Sequence, residues 1–236
     1  MLLAQGYRRQ AGSGGAEAAI WQRAAEERKA LTRLLGDEAR MLERFFGTLN
    51  RIARSALNEP HGPWSPEQYL EFTPGGKEAD VLRAAGPAGL LDWDGGTQLM
   101  LRDPDAAQYL GGGWVEEYAG LKISGARPAE WAPRMLVEHV DSHAGNELDA
   151  VLVHGNRLLL VECKAARPSG TKVSDWIYKA SQLARSVGGQ LAQPLLLSAR
   201  RLDDDHRQRA REYGVDVLDG AALSTLPDYL RRWMGG

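Results

Sequence analysis

The chain has 236 residues, 43% of them hydrophobic, enough for one or two domains around a real core. A formal net charge of −2 excludes a global basic field, so affinity for nucleic acid has to come from a local patch. The single cysteine, Cys163, excludes a disulfide framework and a cysteine-rich zinc site and suits a reducing, cytoplasmic setting.

Residues 1–15, "MLLAQGYRRQAGSGG", read as a flexible leader. The two-leucine start is too short for a signal peptide, and the Gly/Ser end is linker-like. No apolar run approaches the ~20 residues of a membrane helix, so no membrane partner is expected. Residues 16 to 57 read as helix, with Leu31, Leu35, Leu42, Phe45, Leu49, Ile52 and Ala56 on one apolar stripe. Arg33, Arg40, Arg44 and Arg51 fall close to one line on the other side. That line reads as a solvated face, or as a row that could follow a phosphate backbone.

"NEPHGPWSPEQ" is a loop, and Ser65-Pro66 predicts a helix start. Two short helices are expected over "PEQYLEF" and "KEADVLRAAG", then a hairpin around Asp94-Gly95-Gly96. Residues 16–104 are therefore expected to form a helical, winged-helix-like module with a structural or dimerising role. From residue 105 to 236 the order reads α-β-β-β-α-β-α-β-α. Its parts are a helix over "WVEEYAGLKI", strands in "RMLVEHV" and on both sides of His154-Gly155-Asn156, and a helix over 173 to 187. A strand in "QPLLLSA", a helix, the strand "VDVL" and a closing helix follow.

The charged residues of "NELDAVLVHGNRLLLVECK", residues 146 to 164, stand out. Side chains alternate along a strand, so Glu162 and Lys164 share a face and Cys163 points away as core. By the same alternation Glu147 and Asp149 share a face. A hairpin folded at residues 154 to 156 places Asp149 beside Glu162. Two neighbouring carboxylates at a strand end repel each other and resist desolvation, so a cation is expected. Lys164 is one neutraliser; Mg²⁺ or Mn²⁺ is the better one for oxygen ligands. A charged edge ladder is the bland alternative, but "LLLV" before "ECK" reads as a central strand. A third carboxylate is expected from the helix "GGGWVEEYAGL". Glu117 shares a face with Trp114, Tyr118 and Leu121 and is preferred, with Glu116 as the fallback. Glu147 is a further candidate ligand, a hydrogen-bond partner for Lys164, or a loop cap. Lys179, on the following helix, is a candidate phosphate holder or a surface lysine.

The helix with Glu117, the strand with Asp149 and the Glu162-Cys163-Lys164 tripeptide resemble the PD-(D/E)XK nuclease superfamily. That resemblance implies an α/β, restriction-endonuclease-like core of order α-β-β-β-α-β. "YLGGGWVEEY", "NELDAVLVHGNRLLLVECK", "YKASQLARSVGG" and "LLLSAR" together are similar to the nuclease half of CARF-domain nucleases, ancillary effectors of type III CRISPR systems. The resemblance implies a metal-dependent endonuclease acting on DNA and/or RNA in antiviral defence. It implies Asp149, Glu162 and the main-chain carbonyl of Cys163 as ligands, Glu117 joining directly or through water, and Lys164 steadying water or phosphate charge. It also implies a homodimer. The family's Rossmann-like sensor for cyclic oligoadenylate has no counterpart in residues 1 to 60, so sensing is expected only through another domain or protein. The chain is expected to be a truncated form, a mis-started frame or a sensorless relative. A non-catalytic nucleic-acid-binding module and a junction-resolving or restriction-type nuclease are the alternatives.

Overall fold

A computed structural model describes residues 7–9, 16–58, 62–143, 145–166 and 170–235. The stripe on residues 16 to 57 is carried by three helices, α1 (Ala16–Glu27), α2 (Lys29–Asp37) and α3 (Ala39–Leu57), rather than one. The breaks fall at Arg28 and Glu38, not at a glycine. Leu31 and Leu35 on α2, and Leu42, Phe45 and Leu49 on α3, all reach one core, and a single straight rod would carry one end of that stripe past it. Arg33 lies on α2 and so leaves the line of Arg40, Arg44 and Arg51 on α3.

The stretch expected as a first short helix forms a strand instead, β2 (Glu67–Tyr69), with the buried Gln68 opposite Leu99. Seven residues carry too little helical period to resist a ladder partner. Helix α4 (Gly76–Ala85) and the hairpin β3 (Leu91–Trp93) and β4 (Gln98–Leu101) follow, giving an antiparallel sheet of order β2-β4-β3. Residues 59–61 of the expected loop lie outside the described residues.

A short α5 (Pro104–Gln108), capped by Asp103 accepting from the Ala106 N–H at 2.7 Å, enters a π-helical turn over Tyr109–Gly113. Helix α6 (Trp114–Ala126) comes next. Strands β5 (Glu130–His139), β6 (Gly145–His154) and β7 (Arg157–Lys164) are antiparallel. The β6–β7 turn is two residues, Gly155 and Asn156, with φ of 55° and 60°, as a tight hairpin requires. Helix α7 (Gly170–Gly188) crosses to β8 (Ala192–Ser198), parallel to β7. Helix α8 (Asp204–Glu212), β9 (Asp216–Asp219) and α9 (Leu226–Gly235) complete a mixed α/β fold around one central sheet.

That sheet gains a sixth strand from the expected leader. Tyr7–Arg9, here β1, pairs antiparallel with the edge strand β5, and Arg8 is ion-paired with Glu138. The rest of the leader lies outside the described residues.

One apolar cluster unites both halves of the chain, joining Leu31, Phe45 and Leu49 to Trp114, Tyr118, Val161 and Leu195. Its tightest seam is α2 against α6. A Cβ on Gly36 would sit 2.1 Å from the Tyr118 ring, so only glycine lets the two helices meet. Gly36→Ala is accordingly expected to cost about 1–3 kcal/mol through overpacking, read as a lower urea midpoint.

Candidate active site

The β6–β7 ladder runs from His154 opposite Arg157 to Ala150 opposite Val161. Asp149 and Glu162 are the next residues on each strand, beyond the last pair. Here the strand ends are joined by side chains. Asp149 Oδ2 accepts from the Cys163 N–H at 2.6 Å. Lys164 Nζ lies 2.6 Å from Glu162 Oε1 and donates to the Cys163 carbonyl at 3.1 Å. The hairpin thus brings Asp149, Glu162 and Lys164 together, because its short turn fixes the register over the intervening residues.

The chain departs from simple alternation at Asp149. Val151 and Leu148 both belong to the core patch with Val137, Leu158 and Leu160, although they lie three positions apart, a step that alternation would send to opposite faces. On β5 the pairs Pro133–Ala150 and Met135–Leu148 form, but Arg134 and Asp149 between them do not pair. Arg134 takes φ of 44°, a left-handed strand residue. Glu147 nonetheless stays near Asp149: behind burial and Glu162, its charge is a smaller cause of the raised Asp149 pKa. The Arg134 Nε donates to Glu147 Oε1 at 3.1 Å and lies 3.8 Å from Glu116 Oε2. Arg134 carried no sequence signal, since its role follows from a broken pair.

The helix carboxylates divide as follows. Glu117, only 2% exposed, is held by the Arg28 guanidinium, with Nε at 3.1 Å, and by the Thr32 hydroxyl at 3.2 Å. The Thr32 hydroxyl in turn shares a hydrogen bond with the Tyr109 hydroxyl at 2.8 Å, and Arg28 stacks on the Tyr109 ring. Glu117 is therefore tied to α1 and α2. Glu116 is the carboxylate influenced by Asp149. Burial, then the nearby Asp149 charge, push its pKa up to about 7. Burial and then Glu162 likewise raise Asp149 above the ordinary carboxylate range. For Lys164 burial acts downward, but Glu162 and Asp149 outweigh it and the net shift is upward, so it stays a cation.

Cys163 packs in the core, and burial raises its thiol well above the ordinary range, which removes it as a nucleophile. Lys179 is exposed on α7, and among the described residues no hydrogen bond or ion pair draws it into the site. Beside the acids opens a cleft of about 660 Å³, lined by Trp21, Tyr109, Glu116, Glu117, Arg134 and Glu147 among others. Among the described residues no three Asp, Glu, His or Cys side chains converge as a ready metal cage. The donors within reach are two carboxylates, Asp149 and Glu162, and the Cys163 carbonyl, with the Lys164 ammonium between the last two.

Residues 103–235 match the model of a family described as Card1-like, endonuclease domain. Among solved structures, the chain is similar to the protein VC1899 from Vibrio cholerae, with a TM-score of 0.79, 19% identity and 99% of this chain covered. It is also similar to Can2 from Sulfobacillus thermosulfidooxidans, solved in complex with cyclic tetra-adenylate, with a TM-score of 0.72, 20% identity and 100% covered. The matches cover 60% and 59% of those longer chains. No curated protein matches the sequence. Since the family model takes in more than half of its residues, the chain belongs to the Card1-like endonuclease domain family.

Proposed function

We propose that the chain is a metal-dependent endonuclease that hydrolyses phosphodiester bonds of DNA and/or RNA in type III CRISPR defence. The observation that carries the reading is the grouping of Asp149, Glu162 and Lys164 at one sheet end, with Glu116 influenced by Asp149. The donor set fits Mg²⁺ or Mn²⁺. It is all oxygen, and Mg²⁺ takes one or two carboxylates and keeps waters and substrate phosphate for the rest. Lys164 stands in for that cation, its ammonium lying against Glu162 Oε1 and the Cys163 carbonyl.

When bound, the metal lowers the pKa of a coordinated water and offsets the charge of the scissile phosphate. The Cys163 N–H holds Asp149 in place to ligate. Glu162 and the Cys163 carbonyl would supply the other oxygens. Lys164 would stabilise the negative charge that builds on the phosphoryl oxygens. Glu116 replaces Glu117 as the helix carboxylate in this assignment.

Residues 105–236 form the nuclease unit in this reading, and residues 16–104 a winged-helix-like unit that supports it and favours a homodimer. Cyclic tetra-adenylate, bound in the Can2 structure, would act here through a sensor domain or a separate sensor protein. Among the described residues no helix is long and apolar enough to cross a membrane.

The test is cleavage of single-stranded DNA, plasmid and RNA with Mn²⁺, Mg²⁺ or EDTA, with and without cyclic tetra-adenylate. Cleavage that needs metal supports the reading. Binding of nucleic acid with no cleavage in any lane makes the chain a non-catalytic binding module. Cleavage confined to branched or sequence-specific duplex makes it a resolvase or restriction-type enzyme.

A linked prediction concerns pH without metal. The folded chain holds the Glu116 proton up to about pH 7, whereas the unfolded chain releases it near 4.5. The stabilising contribution is therefore complete below the lower value and is lost as pH rises through the higher one. In EDTA the melting temperature is expected to fall between about pH 5 and pH 8, and Glu116→Gln to shrink that fall. A fall of the same size in the variant would remove Glu116 as its source.

A further inference from the structure

The acidic site has a basic neighbour. Helix α3 runs unbroken through Gly47, so Arg40, Arg44, Gly47 and Arg51 lie within about 60° of one another on one exposed line. Arg40 and Arg44 have no ion-pair partner among the described residues. Among the described residues Arg51 pairs with the exposed Glu71 at 3.3 Å and donates to the Tyr69 carbonyl at 3.4 Å, contacts of the weak surface kind. At Gly47 the line is crossed by another arginine. A Cβ there would come within 3.2 Å of Arg200 Nη1, so the glycine leaves room for the guanidinium to lie across the helix. Arg201, also exposed, follows, with its N–H bonded to Glu43 Oε1 at 2.9 Å, which turns the nearest α3 carboxylate toward the loop.

This face adjoins the strand end that carries the acids. Asn50 Nδ2, on α3, donates to the carbonyl of Ala165 at 3.2 Å, one residue beyond Lys164. The Ala199 N–H donates to the Lys164 carbonyl at 2.8 Å, so the loop bearing Arg200 and Arg201 starts at the same place. In a chain of net charge −2 this is a local concentration of positive charge. From Arg40 to Arg51 it covers roughly 16 Å of helix axis, room for several phosphates.

We infer that Arg40, Arg44, Arg51, Arg200 and Arg201 form a track that binds the phosphodiester backbone of a nucleic-acid strand and leads it to Asp149, Glu162 and Lys164. The inference rests on the endonuclease reading for its direction, but binding by the track does not require cleavage. The geometry carries the polyanion past the acids on an arginine surface, so the carboxylates meet only the phosphate being cut. Arginine suits the task, since its fork of donors matches phosphate oxygens.

The test is fluorescence anisotropy of a labelled oligonucleotide, single-stranded in one arm and duplex in the other. It uses the full chain in EDTA, from about 50 to 200 mM KCl. Arg40→Ala with Arg44→Ala is expected to reduce the slope of log K against log salt by about 1.4–1.8, the value for two lost phosphate contacts. Arg51→Ala with Arg201→Ala carries the same expectation. The control pair, Arg211→Ala with Arg231→Ala, removes equal charge from exposed positions on α8 and α9 and is expected to leave the slope unchanged. An unchanged slope in both track variants, or an equal fall in the control, overturns the inference. Loss of the endonuclease reading would show instead as absent cleavage with the slope difference intact.

Discussion

Glu162→Gln and Asp149→Asn are each expected to reduce metal-dependent cleavage to background in the endpoint assay. Amides replace the carboxylates because they keep the shape and the acceptor oxygen. Asp149 takes the Cys163 N–H at 2.6 Å, and an alanine there would leave a buried donor unpaired at about 1–3 kcal/mol. With Asn the fold is retained, so lost cleavage reports on charge and ligation. Lys164→Ala is expected to lower turnover on the order of 10²–10³-fold, the scale for losing one group that stabilises transition-state charge. Metal affinity should be kept or rise, because the ammonium no longer competes for Glu162 Oε1 and the Cys163 carbonyl. Cys163→Ala should cut at the wild-type rate, since its side chain faces the core, with a stability cost on the order of 1 kcal/mol. Calorimetric titration with Mn²⁺ beside the cleavage assay separates these outcomes. Full cleavage by Glu162→Gln or Lys164→Ala would remove the site from this strand end.

Arg28→Ala is the second large effect, expected to destabilise the fold by about 3–5 kcal/mol. The substitution leaves the Glu117 carboxylate buried against α1 and α2 without its cation. Burial already holds the Glu117 pKa above the ordinary value even with Arg28 opposing it. Without Arg28 the shift grows, and the carboxyl takes up a proton on folding. A raised folded-state pKa means stability lost as pH rises, so the variant should be least impaired near pH 5 and most near pH 8. Urea midpoints at the two pH values measure this. Adding Glu117→Leu should return part of the loss, because an apolar pair needs no cation. Equal midpoints for Arg28→Ala and wild type at both pH values would show that the pair is not buried. Because Glu116 follows from the same turn of α6, cleavage should fall more than the lost stability explains.

The order of strands and helices after residue 105 was legible in the sequence, as was the nearness of Asp149 to Glu162. These depend on short-range physics. Alternation of period two, helical period 3.6 and the Gly155-Asn156 turn act within a dozen residues, and the hairpin turn sets the register of its own strands. Tertiary packing decided the rest. Glu116 and Glu117 stand one step apart on α6, so which one meets the acids depends on how that helix is rolled. The roll is set by Tyr118 over Gly36 and by Arg28 on Glu117, contacts from residues more than eighty positions away. The left-handed turn at Arg134 exists only because β5 and β6 miss one pair, and no propensity of arginine foretells it. The breaks at Arg28 and Glu38 and the strand at Tyr7–Arg9 likewise arise because an apolar face or a sheet edge gains more from a distant partner than from its own neighbours.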